Sequence, residues 1–175
     1  MKKAGPRLNA IVEGLMDWGI QNLVYVPSSH AAPVIRGLEA RGVPALMANR
    51  EEEAVGIAGG IALTGRKVAI LMQDNGFGNA MTALATFAMS YHLPIPIFAN
   101  SRGGLGEYNA MIHSISEAAP KMLESIGIRV ERLGASDSVD IWRANSAAAA
   151  KISVMQHRPI VTLFDALHPL IEADK

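Results

Sequence analysis

Three consecutive glutamates, Glu51 to Glu53, form the densest group of chemically capable side chains in the sequence. They open a segment whose apolar periodicity predicts a helix over residues 51–63. A positioned carboxylate can share or transfer a proton, so each glutamate is a candidate for acid–base chemistry. Carboxylates in the first turn of a helix are also favoured by the helix dipole and by free backbone N–H groups. The spacing alone therefore fits a purely structural role at least as well.

The other polar side chains that could bind or react are concentrated in three segments, residues 27–30, 73–78 and 100–113. The first offers hydroxyls and an imidazole, and the second offers neutral amides. In the third, the planar guanidinium of Arg102 offers paired donors to an anion. His113 could donate a proton there or orient a substrate. A single arginine or histidine in a loop is also compatible with a structural role.

The elements that must position these residues alternate between apolar and amphipathic segments. Strands are predicted at 22–26, 44–47, 67–72, 95–99, 128–131 and 159–163. Helices are predicted at 7–18, 32–41, 51–63, 79–91, 116–125 and 139–155. Strands reached through helices predict a three-layer α/β/α domain over residues 1–175, with a mostly parallel six-stranded sheet. Because ligands bind beyond the carboxyl ends of such strands, the polar segments are expected at one edge.

Composition excludes several classes of function. The 175 residues carry 16 basic and 16 acidic side chains, so no charge excess favours nucleic acid or an anionic membrane. Cysteine is absent, which excludes disulfides and thiolate chemistry. The apolar runs are too short for a membrane span, and no signal-peptide core follows the basic N-terminus. We therefore expect a cytoplasmic enzyme with no nucleic-acid or membrane partner.

The residues that follow Glu51 resemble a known family pattern. Ala54, Ala58, Gly60 and Ala62 approximate the E-x-x-A-x-x-A-x-G-x-A sequence of the pyrimidine-binding domain of thiamine-diphosphate-dependent 2-oxo-acid decarboxylases. Four further segments resemble the branch of this family that acts on sulfopyruvate or phosphonopyruvate. They are VPSS (26–29), QDNGFGNAMTAL (73–84), SRGGLGE (101–107) and APKMLESIGI (119–128).

The resemblance implies the α subunit of a two-component decarboxylase that releases CO2 and an aldehyde from a small 2-oxo acid. Its cofactors would be thiamine diphosphate and Mg2+. The G-D-G motif by which the family holds the diphosphate and Mg2+ is missing. A diphosphate-binding β subunit of similar size would therefore complete the site and hold most of the Mg2+ ligands. An α2β2 or larger hetero-oligomer is implied, with no metal ligand on this chain.

The resemblance also assigns roles to individual residues. Glu51 would be the catalytic glutamate that hydrogen-bonds to N1′ of the cofactor's aminopyrimidine, and His113 is the second catalytic candidate. The implied cofactor-binding residues are Pro27, Glu51, Gln73, Asn75, Gly76, Gly78 and Asn79. The implied substrate-binding residues are Ser28, Ser29, His30 and Arg102.

Some loop residues depart from the family pattern. Asn100-Ser101-Arg102-Gly103 stands where S-H-R-G is usual, VPSSHAAP lacks the usual Asp or Cys, and a customary Gln has no counterpart near residues 111–113. These departures leave the identity of the 2-oxo acid open. The alternatives are a carboligase or C–C lyase subunit using the same cofactor, and a non-catalytic α/β binding or regulatory subunit. The absence of a G-x-G-x-x-G motif and of a P-loop disfavours nucleotide binding.

Overall fold

Six parallel strands form a single sheet with helices on both faces. The computed structural model describes residues 5–168. The strands are β1 (Asn22–Tyr25), β2 (Ala45–Met47), β3 (Val68–Gln73), β4 (Pro96–Asn100), β5 (Arg129–Leu133) and β6 (Ile160–Phe164). The helices are α1 (Pro6–Trp18), α2 (Ala32–Glu39), α3 (Glu51–Leu63), α4 (Phe77–Ala83), α5 (His113–Ser125) and α6 (Val139–Gln156).

The strand order is β2-β1-β3-β4-β6-β5. All neighbouring strands pair in parallel, so their carboxyl ends lie along one edge of the sheet. At that edge Gln73 is in register with Asn100, and Asn100 with Phe164. The predicted three-layer fold is confirmed, and the sheet is wholly parallel.

The alternation of side chains along the central strands separates two apolar cores. Leu71, Phe98 and Phe164 point to the core that α1, α2 and α6 cover. Met72 and Ala99, one position along their strands, point to the core beneath α3, α4 and α5. Strands buried on both faces explain the continuous apolar runs in the sequence.

Two helices begin two or more residues before their predicted starts. The helix predicted at 79–91 is preceded by a 3₁₀ turn at Asp74–Gly76, begins as α4 at Phe77, and continues as a π-helical segment, Leu84–Met89. The Asp, Asn and Gly of the preceding turn are typical of loops, so apolar periodicity does not reveal that a helix starts there. Similarly, α5 begins at His113, three residues before the predicted start.

Helix α3 packs closely against the π-helical segment Leu84–Met89, which covers the same face of the sheet. A Cβ added at Gly59 would lie 2.2 Å from Cε1 of Phe87, so glycine permits this approach. The chain enters the helix through Arg50, whose backbone is extended at φ −141° and ψ 155°. Helix α3 begins at the next residue, Glu51. This start lies close to the turn that follows β3.

Candidate active site

The carboxyl ends of β1 and β3 flank the point where the direction of the chain connections changes. Helix α2, which follows β1, covers the face of the sheet on which α1 and α6 also pack. Helix α4, which follows β3, covers the opposite face together with α3 and α5. In open α/β sheets a crevice at such a position is where ligands bind. The Gln73 Nε2 group donates a hydrogen bond to Ser28 Oγ across this crevice, at 3.0 Å.

The three glutamates at the start of α3 have different partners. Glu53 accepts a hydrogen bond from the backbone N–H of Asn49 at 2.8 Å, as a capping carboxylate does. Glu52 forms an ion pair with Arg50. Glu51 instead extends toward the turn after β3, where its Oε2 accepts a hydrogen bond from Asn79 Nδ2 at 3.0 Å. Helix stabilisation therefore accounts for Glu52 and Glu53 but not for the direction of Glu51.

The Glu51 side chain lies directly against the backbone of Gly76. A Cβ placed on Gly76 would be 2.3 Å from both Cγ and Oε1 of Glu51. Glu51 is half-buried and Gly76 is buried. The structure thus brings together three of the predicted residues, Glu51, Gly76 and Asn79.

A second group of predicted residues is joined through Arg102. Its Nη1 donates to Gln73 Oε1 at 3.0 Å, which extends the hydrogen-bonded chain from Ser28 through Gln73 to β4. Its Nε and Nη2 donate to the two carboxylate oxygens of Glu107 at 2.5 and 2.9 Å. Both side chains are buried, with 8% and 1% of their surfaces exposed.

This ion pair with Glu107 was not predicted, and it bears on the proposed substrate role of Arg102. The guanidinium of Arg102, together with the backbone N–H groups of Asn109 and Gly103, lowers the pKa of Glu107 to about 2. Glu107 is therefore ionised at neutral pH and balances the charge of Arg102. Three of the five guanidinium N–H groups donate to Glu107 and Gln73 within the described part of the chain.

Asp74 is a buried carboxylate that the sequence analysis did not select. It accepts hydrogen bonds from Ser116 Oγ, the backbone N–H of Arg102 and Ser101 Oγ, at 2.9, 2.9 and 3.2 Å. Burial raises its pKa, an effect that these hydrogen bonds partly offset. Asp74 ties the ends of β3 and β4 to α5. In sequence, it is indistinguishable from an ordinary turn aspartate.

The remaining predicted residues lie around these two groups. Pro27, Ser28 and Ser29 line an open cavity of about 410 Å3 beside α2. The Oγ of Ser29 lies 3.4 Å from Nδ1 of His30. These residues follow β1, on the α2 side of the crevice.

Asn75, Gly78 and His113 lie on the side of the crevice covered by α4 and α5. Asn75 is half-buried within the 3₁₀ turn, and its backbone N–H bonds to Asp74. Gly78 is exposed in the first turn of α4. His113, the first residue of α5, packs beside Gly103, whose added Cβ would lie 3.2 Å from the His113 Cα.

Another cavity, of about 520 Å3, opens beyond Arg102 toward β5 and β6. Arg132 and Asp165 contribute charged groups to it, and burial raises the pKa of Asp165.

Within residues 5–168, none of the helices has the length and apolar character that crossing a membrane requires.

The fold and the glutamate at its carboxyl edge define a doubly wound α/β domain with a candidate acid–base site. The family "Thiamine pyrophosphate enzyme, N-terminal TPP binding domain" matches residues 8–119, more than half of the chain. This chain belongs to that family.

Two relatives and one solved structure illustrate the relationship. "Sulfopyruvate decarboxylase subunit alpha" from Methanococcus maripaludis is 28% identical, over 91% of this chain and 94% of the relative. "Sulfopyruvate decarboxylase" from Methanosarcina acetivorans is 28% identical over 75% of this chain but only 34% of the relative. A 2-oxoglutarate:ferredoxin oxidoreductase from Magnetococcus marinus superimposes with a TM-score of 0.70 and 14% identity. That match covers 93% of this chain and 29% of the other, and it shows the fold alone.

Proposed function

We propose that this chain is the pyrimidine-binding α subunit of a thiamine-diphosphate-dependent decarboxylase that acts on sulfopyruvate or a closely similar 2-oxo acid. The products would be CO2 and an aldehyde. The observation that carries the proposal is the placement of Glu51, which alone among the three glutamates extends to the turn after β3. The relatives named sulfopyruvate decarboxylase supply the substrate class.

The donors and acceptors at this edge fit the aminopyrimidine half of the cofactor. Within residues 5–168, Glu51 uses one carboxylate oxygen to bind Asn79, and its other oxygen has no hydrogen-bond partner. That oxygen can accept a hydrogen bond from N1′ of the pyrimidine and hold the proton there. Bound thiamine diphosphate supplies the nucleophilic carbon and electron sink that release of CO2 requires.

Other residues would hold and orient the ligands. The candidates for contacts with the pyrimidine ring lie on the two sides of the crevice. They are Pro27, Gln73, Asn75 and Gly78.

On the substrate side, Ser28, Ser29 and His30 are the candidates beside β1. Within residues 5–168, Glu107 and Gln73 take three N–H groups of Arg102, which leaves two that could donate to a sulfonate oxygen. His113 would supply or accept a proton.

The site requires a second subunit. The match with the Methanosarcina acetivorans protein covers three quarters of this chain but about a third of that protein, which is therefore more than twice as long. We propose that the additional length corresponds to a separate diphosphate-binding partner here, and that the partner holds most of the Mg2+ ligands. Among residues 5–168, no three His, Asp or Glu side chains are grouped so as to hold a metal ion.

The outer face of α3 and α4 is suited to that partner. No Asp, Glu, Lys or Arg occurs at positions 54–65 or 75–101. A Cβ added at Gly56 or Gly60 on α3 would have no atom of residues 5–168 within 4 Å beyond its chain neighbours and the backbone of its own helix, and Thr82 and Thr86 are exposed on the neighbouring helical segment. An uncharged face of small side chains allows close packing of helices, so we propose that the partner subunit docks there.

The test compares the three glutamates in the complex of this chain with its partner subunit. With thiamine diphosphate and Mg2+ supplied, CO2 release from sulfopyruvate should fall by about 100-fold or more in Glu51→Gln. Glu52→Gln and Glu53→Gln should retain the activity of the unmodified complex, because the partners that the structure gives these side chains, Arg50 and Asn49, lie at the start of α3. Full activity of Glu51→Gln would contradict the proposed function, as would a complex that binds no thiamine diphosphate.

A further inference from the structure

We propose that Gly76 and Asn79 are positioning residues for Glu51: the space left by the missing side chain of Gly76 holds the glutamate, and Asn79 fixes its carboxylate. This inference rests on the proposed function, in which Glu51 is the acid–base residue. Gly76 and Asn79 would then affect the reaction by holding the Glu51 carboxylate in place.

The contact between Gly76 and Glu51 is too close for any other residue at position 76. A Cβ there would lie 2.3 Å from Cγ, 2.3 Å from Oε1 and 2.4 Å from Cδ of Glu51. Carbon atoms in favourable contact are about 3.5–4.0 Å apart. Any side chain at position 76 would therefore displace the glutamate.

The backbone does not itself require glycine at this position. Gly76 has φ −70° and ψ −12°, a right-handed helical conformation that every L-residue adopts. In contrast, Gly103 and Gly106 have φ of +77° and +93°, where glycine is strongly preferred. The crowding at position 76 comes from the Glu51 side chain, so the need for glycine there is a need to accommodate that side chain.

Asn79 completes the arrangement from within the same segment. Its Nδ2 donates to Glu51 Oε2 at 3.0 Å, while Oε1 is the oxygen that lies against Gly76. The 3₁₀ turn and the first turn of α4 thus contact both oxygens of one carboxylate. Two contacts on one short, continuous segment restrict the orientation of the glutamate before any ligand binds.

The matched substitution two residues away should behave differently. A Cβ at Gly78 would have Cδ1 of Ile115 as its nearest neighbour, at 3.6 Å, which is ordinary contact. Because Gly76 and Gly78 lie in one helical segment, alanine at either position changes the backbone entropy of the unfolded chain similarly. Only alanine at position 76 meets Glu51.

A double-mutant cycle on thermal unfolding of the full chain tests the contact without reference to catalysis. In a Glu51→Ala background, Gly76→Ala should raise the melting temperature by roughly 1–4 °C, the usual benefit of replacing glycine in a helical conformation. With Glu51 present, the gain should disappear or become a loss. Gly78→Ala should have the same effect in both backgrounds. An equal effect of Gly76→Ala in both backgrounds would overturn the inference.

Activity of the complex with the partner subunit provides the second measurement. Gly76→Ala should lower kcat by about 10- to 100-fold, since a displacement of about 1 Å has costs of this size. It should leave KM for the 2-oxo acid within about twofold. In the Glu51→Gln background the same substitution should have no further effect. Asn79→Ala, at an exposed position, should fold normally and also lower kcat.

The outcomes distinguish this inference from the proposed function. If Glu51→Gln is fully active, the proposed function fails. If Glu51→Gln is inactive while Gly76→Ala retains the unmodified kcat, the proposed function stands and the positioning role is wrong.

Discussion

Replacing Glu107 by glutamine should destabilise the protein, because it leaves Arg102 as a buried cation without its counter-charge. The pKa of Glu107 lies at about 2, below the ordinary 4.5. At about 1.4 kcal/mol for each pKa unit, this difference corresponds to about 3.5 kcal/mol of interaction in the folded state. Glutamine has nearly the same shape and its amide oxygen can still accept one hydrogen bond from Arg102, so we expect a loss of about 1–3 kcal/mol in the free energy of unfolding at pH 7.

The effect should depend on pH in a defined direction. The folded-state pKa of Glu107 is depressed, so as the pH falls the unfolded chain takes up its proton first. The stabilisation is complete above pH 4.5 and is lost as the pH falls from about 4.5 to about 2. Over this window the difference in stability between the unmodified protein and Glu107→Gln should shrink toward zero.

Urea unfolding followed by circular dichroism between pH 7 and pH 2.5 measures both effects. The matched control is Glu131→Gln, because Glu131 pairs with Arg129 at the same 2.5 Å but with about half of the arginine side chain exposed. We expect a change of about 0.5 kcal/mol or less for the control. Equal losses for the two variants, or a Glu107→Gln difference that is constant with pH, would refute the reasoning from burial.

Two further substitutions test the loop and turn at the carboxyl edge. Asp74→Asn should cost about 1–3 kcal/mol in urea unfolding, because an amide cannot accept every hydrogen bond that the carboxylate accepts from Ser116, Ser101 and the Arg102 backbone. Stability unchanged within about 0.5 kcal/mol would contradict this. Gly106→Ala should lower the melting temperature more than Gly42→Ala. Both glycines have φ of +80° or above, but only at position 106 would the new Cβ also collide, at 2.3 Å from the Leu167 carbonyl oxygen. Equal shifts would show that this contact relaxes freely.

Much of the fold could be predicted because the central strands and their covering helices are marked by apolar periodicity. Helix α3 has its predicted ends, Glu51 and Leu63. The start of the α4 segment was missed since Asp74, Asn75 and Gly76 are typical of turns, and they do form a turn, one that continues directly into the helix. Periodicity does not register such a start.

The candidate site was predictable in its residue types but not in its pairings. The family resemblance selected Glu51 over its two neighbours, and the geometry gives these glutamates three different partners. Arg102 and Glu107 both belong to the SRGGLGE segment (101–107). Whether two charges five residues apart bind each other or a ligand depends on the path of the loop, which spacing alone does not determine.

The position of β6 has a consequence for how the chain folds as it is synthesised. β6 lies between β4 and β5, although it is made after both. The sheet β2-β1-β3-β4 can pair strand by strand as it leaves the ribosome. Until residues 160–164 emerge, however, β4 and β5 lack their shared neighbour and expose unpaired backbone edges. The second half of the sheet therefore assembles late, and chaperone protection would matter most in the interval before residues 160–164 emerge.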